Sequence, residues 1–199
     1  MTTQYHLILG SQSPRRAELL RQMGLDFEVM PLNTDESYPD SIAPKDVAKY
    51  IANKKANAVN MASLADNSLL ITCDTVVLVG ATILGKPHSI RQARTMLEQL
   101  SNNKHSVISG VCLRTKHQTV SFSDRTDVWF KALSYSEIDY YTQHYQTLDK
   151  AGAYGIQDWI GLIGVRRIGG SFYNVMGLPT QKLYDHIVQL DRSNVTAKR

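Results

Sequence analysis

The chain has 199 residues, 43% of them hydrophobic, and a formal charge of +4. That length suits one well-buried core and does not by itself demand two domains. The positive charge is mild and scattered in short pairs such as Arg15-Arg16 and Arg166-Arg167. There is no long basic block, so the charge lends nucleic-acid binding no support, and a small polyanionic ligand explains the balance equally well.

In chain order, "YHLIL" predicts a buried strand and "PRRAELLRQMG" a helix closed by Gly24. Ser13 suits its N-cap, Pro14 its first position, and Ala17, Leu20 and Met23 its apolar stripe. A short strand "DFEVM" and a polar loop "PLNTDESYPDS" follow, and Pro44 opens a long helix to about Ala62. "SLLITCDTVVLV" is the strongest strand, and "SIRQARTMLEQL" is an amphipathic helix. "HSVISGVCLRT" and "TVSFSDRTDVWFKAL" read as neighbouring strands, then "SYSEIDYYTQHY" as a helix with Ser134 and Glu137 set for a capping box. The glycine-rich "DKAGAYGIQDW" is a loop, "IGLIGVRRI" a strand, Gly169-Gly170 a turn, "LPTQKLYDHIVQL" a closing helix and "SNVTAKR" a frayed tail. Strands and helices alternate without a repeat or a low-complexity linker, which argues a single α/β unit.

The N-terminal apolar run is too short for a signal peptide, and its positive charge lies on the wrong side. Asp74 interrupts the longest apolar stretch, which argues against a membrane span. Cys73 and Cys112 lie in apolar strands with no framework spacing, which fits reduced thiols in a cytoplasmic protein.

The stretch "GATILGKP", residues 80–87, resembles a phosphate-binding loop until Pro87 replaces the required hydroxyl. In such a loop the residues between the glycines wrap an anion with exposed N–H groups. "ATIL" is β-branched and apolar, so the economical reading is a hairpin turning at Gly80-Ala81, with Gly85-Lys86-Pro87 as its exit.

Chemistry can sit at three places. "GSQSPRR" joins a strand end to a helix start, where unpaired N–H groups, the hydroxyls of Ser11 and Ser13 and the guanidinium groups of Arg15 and Arg16 suit an anion. Serine caps are common, so local pattern alone leans to an ordinary capped helix. Asp74 is a carboxylate inside an apolar strand; a buried charge there needs a partner, a metal or a duty, and a structural aspartate bonded to backbone is the alternative. Thr75 beside it points to the opposite face if the strand is regular, or to the same rim if the strand ends there. Val47, Ile51, Lys55 and Val59 recur at four-residue spacing, which puts Lys55 on an apolar stripe. A lysine there either snorkels to the surface or reaches a buried anion. Asp35 and Glu36 offer hard oxygens for a divalent cation, although such loop carboxylates commonly face solvent. The six histidines show no zinc spacing, and no Ser/His/Asp or Cys/His arrangement is legible.

Together these pieces resemble the Maf family of nucleoside triphosphate pyrophosphatases over nearly the whole chain. The resemblance is carried in order by "SQSPRRAELL", "DES", "KKANAV", "CDTVV", "LGKP", "LDKAGAYGIQ" and "YNVMGLPT". It implies an elongated α/β, mixed-sheet fold of two lobes with a deep central cleft, shared by Maf and ITPase proteins and often dimeric. It implies hydrolysis between the α- and β-phosphates to a nucleoside monophosphate and pyrophosphate, with a divalent metal such as Mg or Mn. By the same resemblance Asp74 is the proton acceptor for the attacking water, and Glu36 and Asp74 hold the metal. Ser11, Ser13, Arg15, Arg16, Lys55 and Lys86 contact the triphosphate. Arg15, Thr75 and Gln157 match the branch of the family that acts on dTTP and UTP, and Asp158, followed by Trp159, stands where the family commonly has glycine. The rival reading is a non-catalytic nucleotide or nucleic-acid binding regulator of cell division. Such a protein keeps the basic residues but has no need for Asp74 among them.

Overall fold

The computed structural model of the protein describes residues 3–197. In chain order it has β1 (His6–Gly10), α1 (Pro14–Gln22), β2 (Phe27–Val29), α2 (Val47–Asn57), β3 (Ser68–Val79), β4 (Thr82–Leu84) and α3 (Ile90–Leu100). Then follow β5 (Lys104–Arg114), β6 (Thr119–Phe130), α4 (Tyr135–His144), α5 (Trp159–Gly164), β7 (Val165–Gly169), α6 (Phe172–Met176) and α7 (Thr180–Ala197). The strands form one sheet in the order β2-β1-β3-β5-β6-β7, with β4 paired to β3. β1 runs parallel to both β2 and β3, whereas β4 on β3 and β7 on β6 are antiparallel. The expected mixed-sheet α/β class is thus what the chain adopts. Among the described residues, no helix is long and apolar enough to cross a membrane.

The chain divides into two compact units. The first comprises Met1–Asp74, Ser109–Asp124 and Gly177–Arg199, and the second Thr75–Ile108 and Arg125–Met176. In the first, Ile8, Leu70 and Cys112 of the sheet pack with Ala52, Ala56 and Val59 on and just after α2. α2 approaches closely because Gly110 of β5 has no side chain: a Cβ there would run into the backbone of Ala48 and Lys49. In the second, Leu97 and Leu100 of α3, Tyr141 of α4, Val128 and Phe130 of β6 and Ile160 of α5 close a separate core.

Local signals explain most boundaries. Gly24 takes a left-handed φ of 69°, and Leu25 N–H donates to Leu20 carbonyl at 3.2 Å, closing α1. The capping box of α4 is complete, with Ser134 Oγ accepting from Glu137 N–H and the Glu137 carboxylate from Ser134 N–H. Gly80 and Ala81 make the two-residue turn of the β3–β4 hairpin, with Val79 opposite Thr82 and Gly80 at φ 60°.

Three expectations are corrected and one helix is added. The helix opened by Pro44 begins as a 3-10 turn and ends at Asn57, short of Ala62. Arg114 Nη1 takes up Ala56 carbonyl at 2.7 Å and Val59 carbonyl at 3.3 Å, and Asn60 starts a separate turn by accepting from Ala62 N–H. "IGLIGVRRI" is half helix: Trp159–Gly164 coils because Asp158 carbonyl accepts from Gly161 N–H at 2.9 Å, and strand begins only at Val165. Phe172–Met176, after the Gly169-Gly170 turn, is a further short helix. The supposed tail from Ser193 continues α7 to Ala197, since nothing in "SNVTA" stops a helix; Lys198 and Arg199 lie outside the described residues.

Candidate active site

In the first unit, β1 ends at Gly10 and α1 begins at Pro14, so Ser11 and Ser13 sit at a strand-to-helix junction. Ser11 is buried, and its Oγ accepts from Ser13 N–H and from Arg16 Nη1, both at 3.2 Å. Ser13 has the extended backbone of an N-cap, but its hydroxyl makes no capping bond, so the cap expected from sequence is one of position only. Arg16 also donates from Nη1 to Cys73 carbonyl at 2.7 Å and from Nε to Gly177 carbonyl at 2.9 Å. Its guanidinium therefore ties the start of α1 to the middle of β3 and to the residues that lead into α7. Arg15 is half-buried on the first turn.

The centre of this unit is Lys55. The apolar stripe of α2 carries it inward, where it is only 8% exposed. Its Nζ donates to Asp74 Oδ1 at 2.7 Å and to Glu36 Oε1 at 2.8 Å. Asp74 is itself 7% exposed, with Cys73 and Val76 buried around it on β3. Asp74 has thus found a charged partner, and Lys55 reaches a buried anion in place of snorkelling. Glu36 is exposed on the polar loop, and the neighbouring residues hold it there. Asp35 accepts from Ser37 N–H at 2.9 Å, from Ser37 Oγ and from Lys54 Nζ at 2.9 Å. These bonds, the Ser37 hydroxyl first among them, hold the Asp35 carboxyl well below the usual carboxylate range. Successive carboxylates thus meet successive lysines, Asp35 with Lys54 and Glu36 with Lys55. Among the described residues, no three His, Cys, Asp or Glu side chains gather as a metal cage.

The second unit supplies the other residues singled out from sequence. Thr75 is half-buried on β3. Lys86 is exposed in the exit of the β3–β4 hairpin, beside the buried Pro87, while Gly85 carbonyl accepts from Gly152 N–H at 3.0 Å. The lysine of "GATILGKP" is therefore carried by a hairpin and not by a phosphate loop. Gln157 is exposed in the turn between Gly155 and Asp158, whose ends are joined by Asp158 N–H donating to Gly155 carbonyl at 3.0 Å. Asp158 Oδ2 accepts from Tyr141 OH at 2.7 Å and lies 3.7 Å from Lys150 Nζ. Trp159 opens α5 and meets Tyr140 edge to face, with ring centroids 4.8 Å apart.

Several neighbours escaped the sequence reading. Lys150, within "LDKAGAYGIQ", is buried beside Asp149 and Asp158. A lysine amid glycine and alanine was a usable signal for it. Tyr141, three residues after Ile138 on the buried stripe of α4, offered only a core signal. Nothing local marks the carbonyls of Cys73 and Gly177 as the anchors of Arg16. Both cysteines are buried, and burial pushes the Cys112 thiol up to about 11.

Residues 6–190 match the family described as Maf-like protein. A dTTP/UTP pyrophosphatase of Parabacteroides distasonis is 50% identical over 184 residues, covering 92% of this chain and 95% of the relative. One from Phocaeicola vulgatus is 49% identical over 187 residues, covering 94% and 96%. One from Cytophaga hutchinsonii is 44% identical over 184 residues, covering 92% and 84%. The solved Staphylococcus aureus Ham1 protein aligns at 15% identity and a TM-score of 0.42 over 81% of this chain and 92% of that one. With the family matched from β1 into α7 and relatives this similar over nearly their full length, the chain belongs to the Maf-like protein family.

Proposed function

We propose that this protein hydrolyses nucleoside triphosphates, dTTP and UTP first and modified pyrimidine nucleotides among them, to the monophosphate and pyrophosphate. The observation that carries this reading is Asp74, a buried carboxylate held beside Lys55 and Glu36. The pyrophosphatase names of relatives that share about half their residues with it support the same reaction.

In this reading Asp74 accepts a proton from water as the water oxygen bonds to the α-phosphorus. The bond from that phosphorus to the α-β bridging oxygen breaks, and pyrophosphate leaves with the electron pair. Phosphoryl transfer needs positioning and charge neutralisation more than covalent help from the protein. Lys55, Arg15 and Lys86 supply cationic donors to the phosphates, and the N–H groups of the first turn of α1 suit an anion, with Ser11 and Ser13 beside them. Arg16, already bonded to three oxygens, holds that junction in shape. Gln157 presents an amide that can pair with the carbonyl and N–H edge of a pyrimidine, and Thr75 is a further substrate contact in this reading.

The donor set also suits a divalent cation. Asp74 and Glu36 already converge on one positive centre, the Lys55 ammonium, and two carboxylates completed by phosphate oxygens and water are the usual surroundings of Mg²⁺. Held by Asp74 and Glu36, such an ion would offset the charge crowded onto the triphosphate.

The test is turnover of a nucleotide panel with product identification, for wild type and Asp74→Asn, with and without chelator. dTTP and UTP should yield monophosphate plus pyrophosphate, and the chelator should stop this until Mg²⁺ or Mn²⁺ is restored. Asp74→Asn should lower turnover by roughly 10²- to 10⁴-fold, as expected for loss of a positioned base. Diphosphate plus orthophosphate as products, or near-normal turnover by a folded Asp74→Asn protein, would overturn the mechanism.

A further inference from the structure

Gln157 is exposed, yet the turn that carries it is tightly held. Tyr141 on α4 is completely buried, and its phenol oxygen bonds to both ends of that turn. It accepts from Gly155 N–H at 3.0 Å and donates to Asp158 Oδ2 at 2.7 Å. Asp158 N–H closes the same turn on Gly155 carbonyl, and Asp158 carbonyl starts α5 through Gly161 N–H. Lys150, buried beneath, lies 3.7 Å from the same Asp158 oxygen and balances its charge. Gly155 leaves room for this arrangement, since a Cβ there would collide with the Asp158 carboxylate and stand 3.0 Å from Gln157 Nε2. Burial pushes the Tyr141 phenol well above its ordinary value, so it remains a donor at any physiological pH.

We propose that Tyr141 and Asp158 are positioning residues that set specificity, one phenol pinning both ends of the turn whose exposed side chain, Gln157, reads the base. The proposal rests on the pyrimidine reading given above for Gln157. A flexible amide pays an ordering cost each time it pairs, and a pinned turn has removed that cost beforehand. The sequence departure at Asp158 is then the acceptor half of a lock, and Trp159 stands at the start of the helix that the same residue opens.

The experiment compares wild type, Tyr141→Phe, Asp158→Asn, Asp158→Gly, Gln157→Ala and the Tyr141→Phe/Gln157→Ala double variant. KM and kcat are measured for dTTP, UTP, CTP and dGTP, with amide hydrogen exchange followed at Gly155. Tyr141→Phe should raise KM for dTTP and UTP roughly 10-fold, keep most of kcat, weaken discrimination against dGTP and speed exchange at Gly155. Asp158→Gly should act in the same direction and serves if the phenylalanine protein does not fold. Asp158→Asn, which keeps an acceptor for the phenol, should stay near wild type. In the Gln157→Ala background the phenylalanine change should add little. The proposal is overturned if folded Tyr141→Phe or Asp158→Gly keeps wild-type KM and selectivity. It is also overturned if the loss is equally large without the glutamine. Absence of any turnover by wild type would instead sink the functional reading, and exchange at Gly155 would still decide whether the phenol pins the turn.

Discussion

Lys55 Nζ lies 2.7 Å from Asp74 Oδ1, the two residues coming from α2 and β3 and each less than one tenth exposed. Glu36 completes the group on the solvent side at 2.8 Å. One cation thus balances two carboxylates, and the consequence is asymmetric. Asp74 loses its paired charge if Lys55 goes, whereas Lys55 keeps Glu36 if Asp74 goes.

Lys55→Met should therefore destabilise the protein by about 3–5 kcal/mol, the usual cost of stranding a buried charge. Asp74→Asn alone should cost less, about 1–3 kcal/mol, since the amide oxygen still accepts from Lys55. The Lys55→Met/Asp74→Asn double variant should be more stable than Lys55→Met, because it no longer holds an unpaired buried carboxylate. Urea unfolding of the four proteins measures the coupling directly. Strictly additive losses would show that the pair does not interact.

Lys86 offers the opposite balance. It is exposed in the hairpin exit, so Lys86→Ala should change stability by less than about 0.5 kcal/mol. As a phosphate contact, its loss should lower kcat/KM by roughly 10- to 100-fold, the worth of one charge-assisted hydrogen bond. A variant that melts and turns over like wild type would make this lysine a plain surface residue.

His105 predicts a pH dependence of folding unconnected with catalysis. Its Nε2 bonds to Tyr154 OH at 2.7 Å, and the rings of Phe130 and Tyr154 meet it edge-on at 5.1 and 5.4 Å. Burial lowers its pKa to about 4, despite the opposing pull of Asp127. The unfolded chain takes up the proton near its ordinary value of about 6.5, so between these values the unfolded state binds more protons and stability falls as pH falls. The full effect is about 3 kcal/mol, present above pH about 6.5 and lost toward pH 4. Hydrogen bonds from Lys104, Ser106 and Arg125 outweigh burial and hold Asp127 at about 2, so it stays ionised through this window. Urea midpoints at pH 7 and 4.5, for wild type and His105→Asn, should show a slope that the variant flattens. Equal slopes would contradict the assignment.

The sequence by itself determined the elements whose signals are local. β3 coincides with the apolar run Ser68–Val79, the hairpin turns at Gly80-Ala81, and the capping box of α4 holds. It also determined the inward face of Lys55, because a side chain at the helical spacing of Val47 and Ile51 must share their stripe. Only the tertiary structure decided what lay beyond that reach. An apolar run such as "IGLIGVRRI" satisfies both helix and strand, and Asp158 carbonyl at its head made the choice. Asp74 and Lys55 each required a partner, but which charge would meet which was settled by α2 packing onto a sheet opened by Gly110. Arg16 shows the limit most clearly: it reads as a phosphate donor, yet its acceptors are Ser11, Cys73 and Gly177, the last 161 residues away. A guanidinium has no local preference among oxygens, so its bonds follow from whichever oxygens folding brings within its reach.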